Sequence, residues 1–209
     1  MRINKILSII FLLTCLAVTA VSPVLAADDH VGIETEVCGV TVSKYILYSG
    51  YNMPVEHHCD VGDYYPGNHI SDDMENLELF TQYEWWLRIQ ICPEETIENV
   101  MLYDRFGAEF GVCLVDYTVV DSGEAPQMYT KGKSEKVFLT WNIGTIQGGE
   151  CATVWLHVWT DHNPAGKQEF TSYGTYYMNS GAVAKWLYDG TKYSAATGQL
   201  AVSTIPPPL

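Results

Sequence analysis

Apolar and polar residues alternate along much of this chain, and no long stretch keeps a helical period. In Tyr83-Glu84-Trp85-Trp86-Leu87-Arg88-Ile89-Gln90-Ile91, the side chains of Trp85, Leu87, Ile89 and Ile91 share one face, while Trp86, Arg88 and Gln90 take the other. Val137 to Ile143 places Val137, Leu139, Trp141 and Ile143 together. Thr153 to Trp159 aligns Val154, Leu156 and Val158 opposite Trp155, His157 and Trp159. Val100-Met101-Leu102-Tyr103-Asp104 repeats the pattern with less contrast. A period of two places successive side chains on opposite faces of an extended backbone, so each segment predicts a strand with one face for a core.

Turn residues separate these segments: Pro93-Glu94-Glu95, Ser122 to Pro126, Gly144 with Gln147-Gly148-Gly149, and Asn163-Pro164. Short strands at this spacing leave little room for crossover helices, which predicts an all-β antiparallel sandwich or barrel. The stretch from Cys38 to Asn76 is less regular and poor in aliphatic residues. It reads as short strands and loops packed on the main body and tied to it by a disulfide. The expected organisation is a signal peptide over 1–26, an N-terminal extension over 27–76, a β-sandwich over 77–204 and a proline-rich tail over 205–209.

The amino terminus sets the compartment. Arg2 and Lys5 precede an apolar run from Ile6 to about Val21, and Val24-Leu25-Ala26 offers small residues for cleavage. That run is shorter than the roughly 20 residues of a membrane span, and no second one follows. The expectation is a secreted or cell-surface protein with no membrane span in the mature chain. Cleavage removes two basic residues and no acidic one, taking the formal charge from −14 to −16. A surface this acidic repels nucleic acid and anionic lipid. Cys15 leaves with the signal, and Cys38, Cys59, Cys92, Cys113 and Cys151 remain. Outside the cytoplasm thiols tend to pair, so five cysteines predict two internal bridges and one left over. Cys38 with Cys59 is the first candidate pair, and Cys113 with Cys151 the second.

At Leu139-Thr140-Trp141-Asn142-Ile143-Gly144-Thr145-Ile146-Gln147-Gly148-Gly149-Glu150 the sequence resembles the conserved repeat domain of archaeal and bacterial cell-surface proteins. That family carries a strand ending in W-x-I-G, a tight turn with G-E, and a further strand. Asn99 to Phe110 is similar to its NV-x-V-x-D strand and loop, and Asn163–Glu169 through Asn179–Ala182 to the connection before its last strands. The resemblance runs from about Leu77 to Ser203. It implies an immunoglobulin-like β-sandwich on an extracellular or surface protein, without known catalytic residues. This chain departs from the family in having one copy instead of a tandem array, extra cysteines and no evident wall anchor.

The stretch His162–Gly181 holds Lys167, Glu169 and Thr171 in alternation, but no nucleophile elbow or metalloprotease motif occurs in the chain. Asn-Pro, glycines, amides and hydroxyls read more simply as a polar connection between strands. A Lys–Asn isopeptide bond is a further option, needing Lys185 or Lys167 buried beside Asn179 and an acid. Glu56-His57-His58-Cys59-Asp60, with Asp63 and His69, offers transition-metal ligand types, but adjacent histidines on an extended segment face opposite ways. Asp60, Asp63, Asp72 and Asp73, with Glu75 and Asn76, supply hard oxygens for calcium, although without EF-hand spacing; otherwise they are solubility charges. Trp155, His157 and Trp159 form an aromatic row that stacks on sugar rings if exposed; burial under another segment is the preferred reading.

The sequence therefore predicts a non-catalytic structural or interaction protein without a cofactor, acting on a protein or cell-envelope partner. Self-assembly through an edge strand or the odd cysteine is one form of that role. The alternative is a carbohydrate- or calcium-binding sandwich module.

Overall fold

A computed structural model describes residues 31–47, 69–70, 74–81, 83–119, 123–131, 136–160, 170–204 and 206. Two antiparallel layers face each other. The first contains β1 (Val31–Val37), β2 (Val40–Leu47), β4 (Tyr83–Pro93), β9 (Ala152–Trp159) and β6 (Gly111–Tyr117) in that spatial order, with the short β3 (His69–Ile70) beside β4. The second runs β12 (Thr191–Ala196), β11 (Val183–Tyr188), β5 (Ile97–Arg105), β8 (Val137–Ile146) and β7 (Gln127–Thr130). A ribbon of β10 (Gly174–Tyr177) and β13 (Ala201–Thr204) completes the architecture. The ladders are antiparallel except for β3 with β4. This is the all-β antiparallel sandwich that the alternation predicts.

The inward faces are those read from the sequence. Trp85, Leu87, Ile89 and Ile91 from β4, Leu139, Trp141 and Ile143 from β8, and Val154, Leu156 and Val158 from β9 are all buried in one core. Burying an aliphatic side chain of this size contributes about 1.5–3 kcal/mol, so the facing rows are the main force holding the layers together. Trp141 keeps its polar edge satisfied by donating from Nε1 to the Glu124 carbonyl at 2.7 Å. The alternation on β8 breaks at Gly144, whose φ is +80°. Opposite it the β5 register shifts between Ile97 and Val100, and the bulge turns Ile146 inward in place of Thr145.

The amino-terminal strands change the expected organisation. β2 pairs with β4 along its whole length, from Val40 opposite Pro93 to Leu47 opposite Trp86, and β1 pairs with β2. Val40, Val42 and Ile46 enter the same core as the later strands. Residues 31–47 are thus two strands of the first layer, not a segment laid over a body that begins at residue 77. Cys38 and Gly39 join them with φ of 52° and 70°, the two left-handed residues of a tight hairpin turn. At the far edge, Thr35 Oγ1 on β1 donates to the Ala196 carbonyl on β12 at 3.0 Å, linking the two layers.

The cysteine pairing also differs. Cys92 is bonded to Cys151, so the expected Cys113–Cys151 bridge is not formed. The register that sets Ile91 opposite Ala152 brings Cys92 and Cys151 face to face at the ends of adjacent strands. This bond ties strands within one layer; it does not anchor an N-terminal extension. Cys113 is disulfide-bonded as well, and Cys59 lies outside the described residues.

Candidate functional site

Three polar side chains meet inside the sandwich. On β2 the inward positions are Val40, Val42, Lys44 and Ile46, and all four are buried. Alternation thus carries a lysine to a place where its neighbours are aliphatic. On β5 the inward series Val100, Leu102 and Asp104 does the same with a carboxylate, before Arg105 turns outward. The third residue, Asn179, is held by its backbone. It pairs with Phe106 in an isolated bridge, and the next amide, that of Ser180, donates to the Arg105 carbonyl at 2.8 Å. Gly181, with φ of +97°, then turns the chain into β11.

The geometry is close and nearly dry. Lys44 Nζ donates to Asn179 Oδ1 at 2.6 Å and to the Gly198 carbonyl at 3.2 Å. Asn179 Nδ2 donates to Asp104 Oδ2 at 2.8 Å, and the Leu200 backbone N–H donates to Asn179 Oδ1 at 3.2 Å. The last two contacts fix the amide's orientation, because a flip sets its NH2 against a backbone N–H. Asp104 Oδ1 accepts from the Arg105 N–H at 2.7 Å. Lys44 Nζ and Asp104 Oδ2 stand 3.9 Å apart, with both side chains at 0% exposure.

Burial governs the protonation of this cluster. Loss of solvation lowers the Lys44 amine from 10.5 to about 8, opposed by the charge of Asp104. Loss of solvation also raises the Asp104 carboxyl, opposed by Lys44, the Arg105 N–H and the Asn179 amide. Both shifts favour the neutral forms, an amine and a carboxylic acid. The cluster therefore brings together a nucleophile, a carboxamide carbon and a proton carrier, shielded from water.

The sequence pairs Asn179 with Lys185 or Lys167, whereas the lysine that the structure sets beside it is Lys44. Lys185 lies on β11 between the buried Ala184 and Trp186, so it points outward, and its Nζ sits 5.2 Å from the Tyr103 ring centroid. Lys167 and Glu169 lie outside the described residues. Lys44 and Asp104 escape notice because each interrupts an apolar series, yet that interruption is itself the signal: a charged residue at an inward position of an alternating strand.

The aromatic row occupies the outer face of the first layer. His157 is buried, its ring stacked on Trp86 at 4.8 Å and 5.3 Å from Trp159, with Nε2 3.3 Å from Glu84 Oε2. Trp155 and Trp159 are half-buried; Trp155 packs with Trp86, Val115 and Tyr45, and Trp159 lies against the backbone of Gly111. Arg88 stands 5.2 Å from the Tyr45 ring and 5.6 Å from Trp155. His157 is thus enclosed by its neighbours, whereas Trp155 and Trp159 keep part of their surface open. The calcium candidates Asp60, Asp63, Asp72 and Asp73 and the histidines His57 and His58 lie outside the described residues. Glu75 and Asn76 are exposed, and among the described residues no group of three His, Cys, Asp or Glu side chains gathers to hold a metal.

No protein-family model matches the chain. It is 36% identical over 111 residues to an uncharacterized protein of Archaeoglobus fulgidus, a match covering 53% of this chain and 39% of that protein. Among solved structures, the RrgA Jo.In complex is similar at a TM-score of 0.46 and 12% identity, covering 83% of this chain and 86% of that one. The C-terminal domain of the Streptococcus pyogenes antigen I/II-family protein AspA gives 0.37 at 8% identity, covering 85% and 56%. A family 3b carbohydrate-binding module from a Clostridium thermocellum cellobiohydrolase gives 0.28 at 11%, covering 59% and 87%.

Proposed function

We propose that the chain is a non-catalytic structural or interaction domain of the cell exterior, of the kind found as repeats on archaeal and bacterial surfaces. The observation that carries this reading is how the sandwich is tied together. A disulfide joins β4 to the start of β9, and a sealed polar cluster joins β2 to the segment entering β11. Disulfides persist in oxidising surroundings. The charged groups of the cluster face inward, where no diffusing substrate reaches them. Such a body offers its partners a rigid surface of edges and loops, and its strongly acidic composition keeps it soluble.

Expression of the full chain in an archaeal host, followed by labelling of intact cells and medium with a membrane-impermeant amine reagent, tests the reading. The expected result is labelled, oxidised protein outside the cell, lacking the first 26 or so residues. Protein retained inside with reduced cysteines contradicts it.

A further inference from the structure

We propose that Lys44 and Asn179 join in an intramolecular isopeptide bond, formed by the folded protein on itself with Asp104 as the catalytic acid–base. Geometry supplies the first argument. With Nζ 2.6 Å from Oδ1 and a C=O bond of about 1.23 Å, the amine lies no more than about 3.8 Å from Asn179 Cγ. That is close to the separation of reacting atoms in a near-attack arrangement.

The hydrogen-bond count supplies the second. An ammonium carries three donors, but among the described residues Nζ has two acceptors at hydrogen-bond distance, Asn179 Oδ1 and the Gly198 carbonyl. Asp104 stands beyond that range. Two donors and a lone pair, the neutral amine, match the site better. A merely structural ion pair also gains little here, since burying a charged pair is often no better than an apolar replacement.

The third argument is the placement of the remaining atoms. The Leu200 N–H points at Oδ1, where negative charge develops as the amine attacks, as an oxyanion donor must. Asp104 Oδ2 already accepts from Nδ2, the nitrogen that must leave. The step balances without oxidant or cofactor. Lys44 Nζ forms a bond to Asn179 Cγ, and the Cγ–Nδ2 bond breaks. A proton passes from Nζ through Asp104 to Nδ2, and ammonia departs. Burial favours both the neutral amine and the protonated acid that this sequence uses. The product ties the first layer to the second across 135 residues of chain. This inference does not depend on where the protein resides.

Intact-mass and peptide analysis of the folded full chain, reduced and alkylated, tests it. The expected result is a mass lower by one ammonia, with a branched tryptic peptide uniting the Lys44 and Asn179 segments and no cleavage after Lys44. The sequence mass overturns the proposal. So does an ammonia loss with Lys44 still cleaved by trypsin, which marks a cyclic imide at Asn179. Asp104→Asn, which keeps the site's shape, is expected to give the sequence mass; a linked D104N overturns the role given to Asp104. Should that variant fail to fold, the wild-type peptide map still decides whether the bond exists.

Discussion

Replacing Lys44 by Met and Asp104 by Asn together removes the cross-link while leaving the site packed. Methionine follows the path of the lysine stem and the amide placed at 104 still accepts from one of its two donors, while the Gly198 carbonyl loses the Lys44 donor. The largest part of the cost is then the lost constraint on the unfolded chain, with about 1–3 kcal/mol added for each buried polar group left without a partner. The link closes 135 residues, of which the Cys92–Cys151 bond already short-circuits 59. Loop-closure entropy for a path between those limits stabilises the linked protein by about 4.5–5 kcal/mol. For a chain of this size that is a fall in Tm of about 10–20 °C. Scanning calorimetry under non-reducing conditions reads it directly. If the wild-type residues form only a buried ion pair, apolar replacement is neutral or stabilising. A Tm equal to or above that of wild type therefore refutes the reasoning.

In Asp104→Asn alone, Lys44 remains a titrating amine and loses the charge that holds its pKa up, so it ionises below about 8 when folded against 10.5 unfolded. The unfolded chain then binds the proton more readily, and stability rises with pH through that window, by roughly 3 kcal/mol or more. Urea unfolding of this variant, set against the double variant in which position 44 cannot titrate, should show the rise in the first only. Gly111→Ala drives a Cβ into the Trp159 ring; the expected loss is about 1–3 kcal/mol with a shifted tryptophan emission, since the packed ring must move. Cys92→Ala with Cys151→Ala opens a loop of 59 residues and should cost about 2–5 kcal/mol in denaturant melts.

The layers were legible wherever inward positions are uniformly apolar. Trp85 to Ile91 on β4 and Val154 to Val158 on β9 announce their faces without ambiguity. β2 was not legible as a core strand because Lys44 stands where its pattern calls for an aliphatic residue, and the same interruption by Asp104 weakens β5. The residue that hid β2 is thus itself a residue of the site. The Cys92–Cys151 pairing depends on β4 lying beside β9 in one register, which spacing along the chain does not encode. Asn179 was visible as a residue type in a polar connection, but its partners come from strands more than 70 residues away, which only the tertiary fold brings together.

A crystal structure of the purified protein at high resolution tests the central claim most directly. The account predicts continuous density from Lys44 Nζ to Asn179 Cγ at the length of an amide bond, about 1.33 Å, inside a first layer that includes β2. Separate side chains, with Asn179 Nδ2 still present and Asp104 bonded to it, contradict the account.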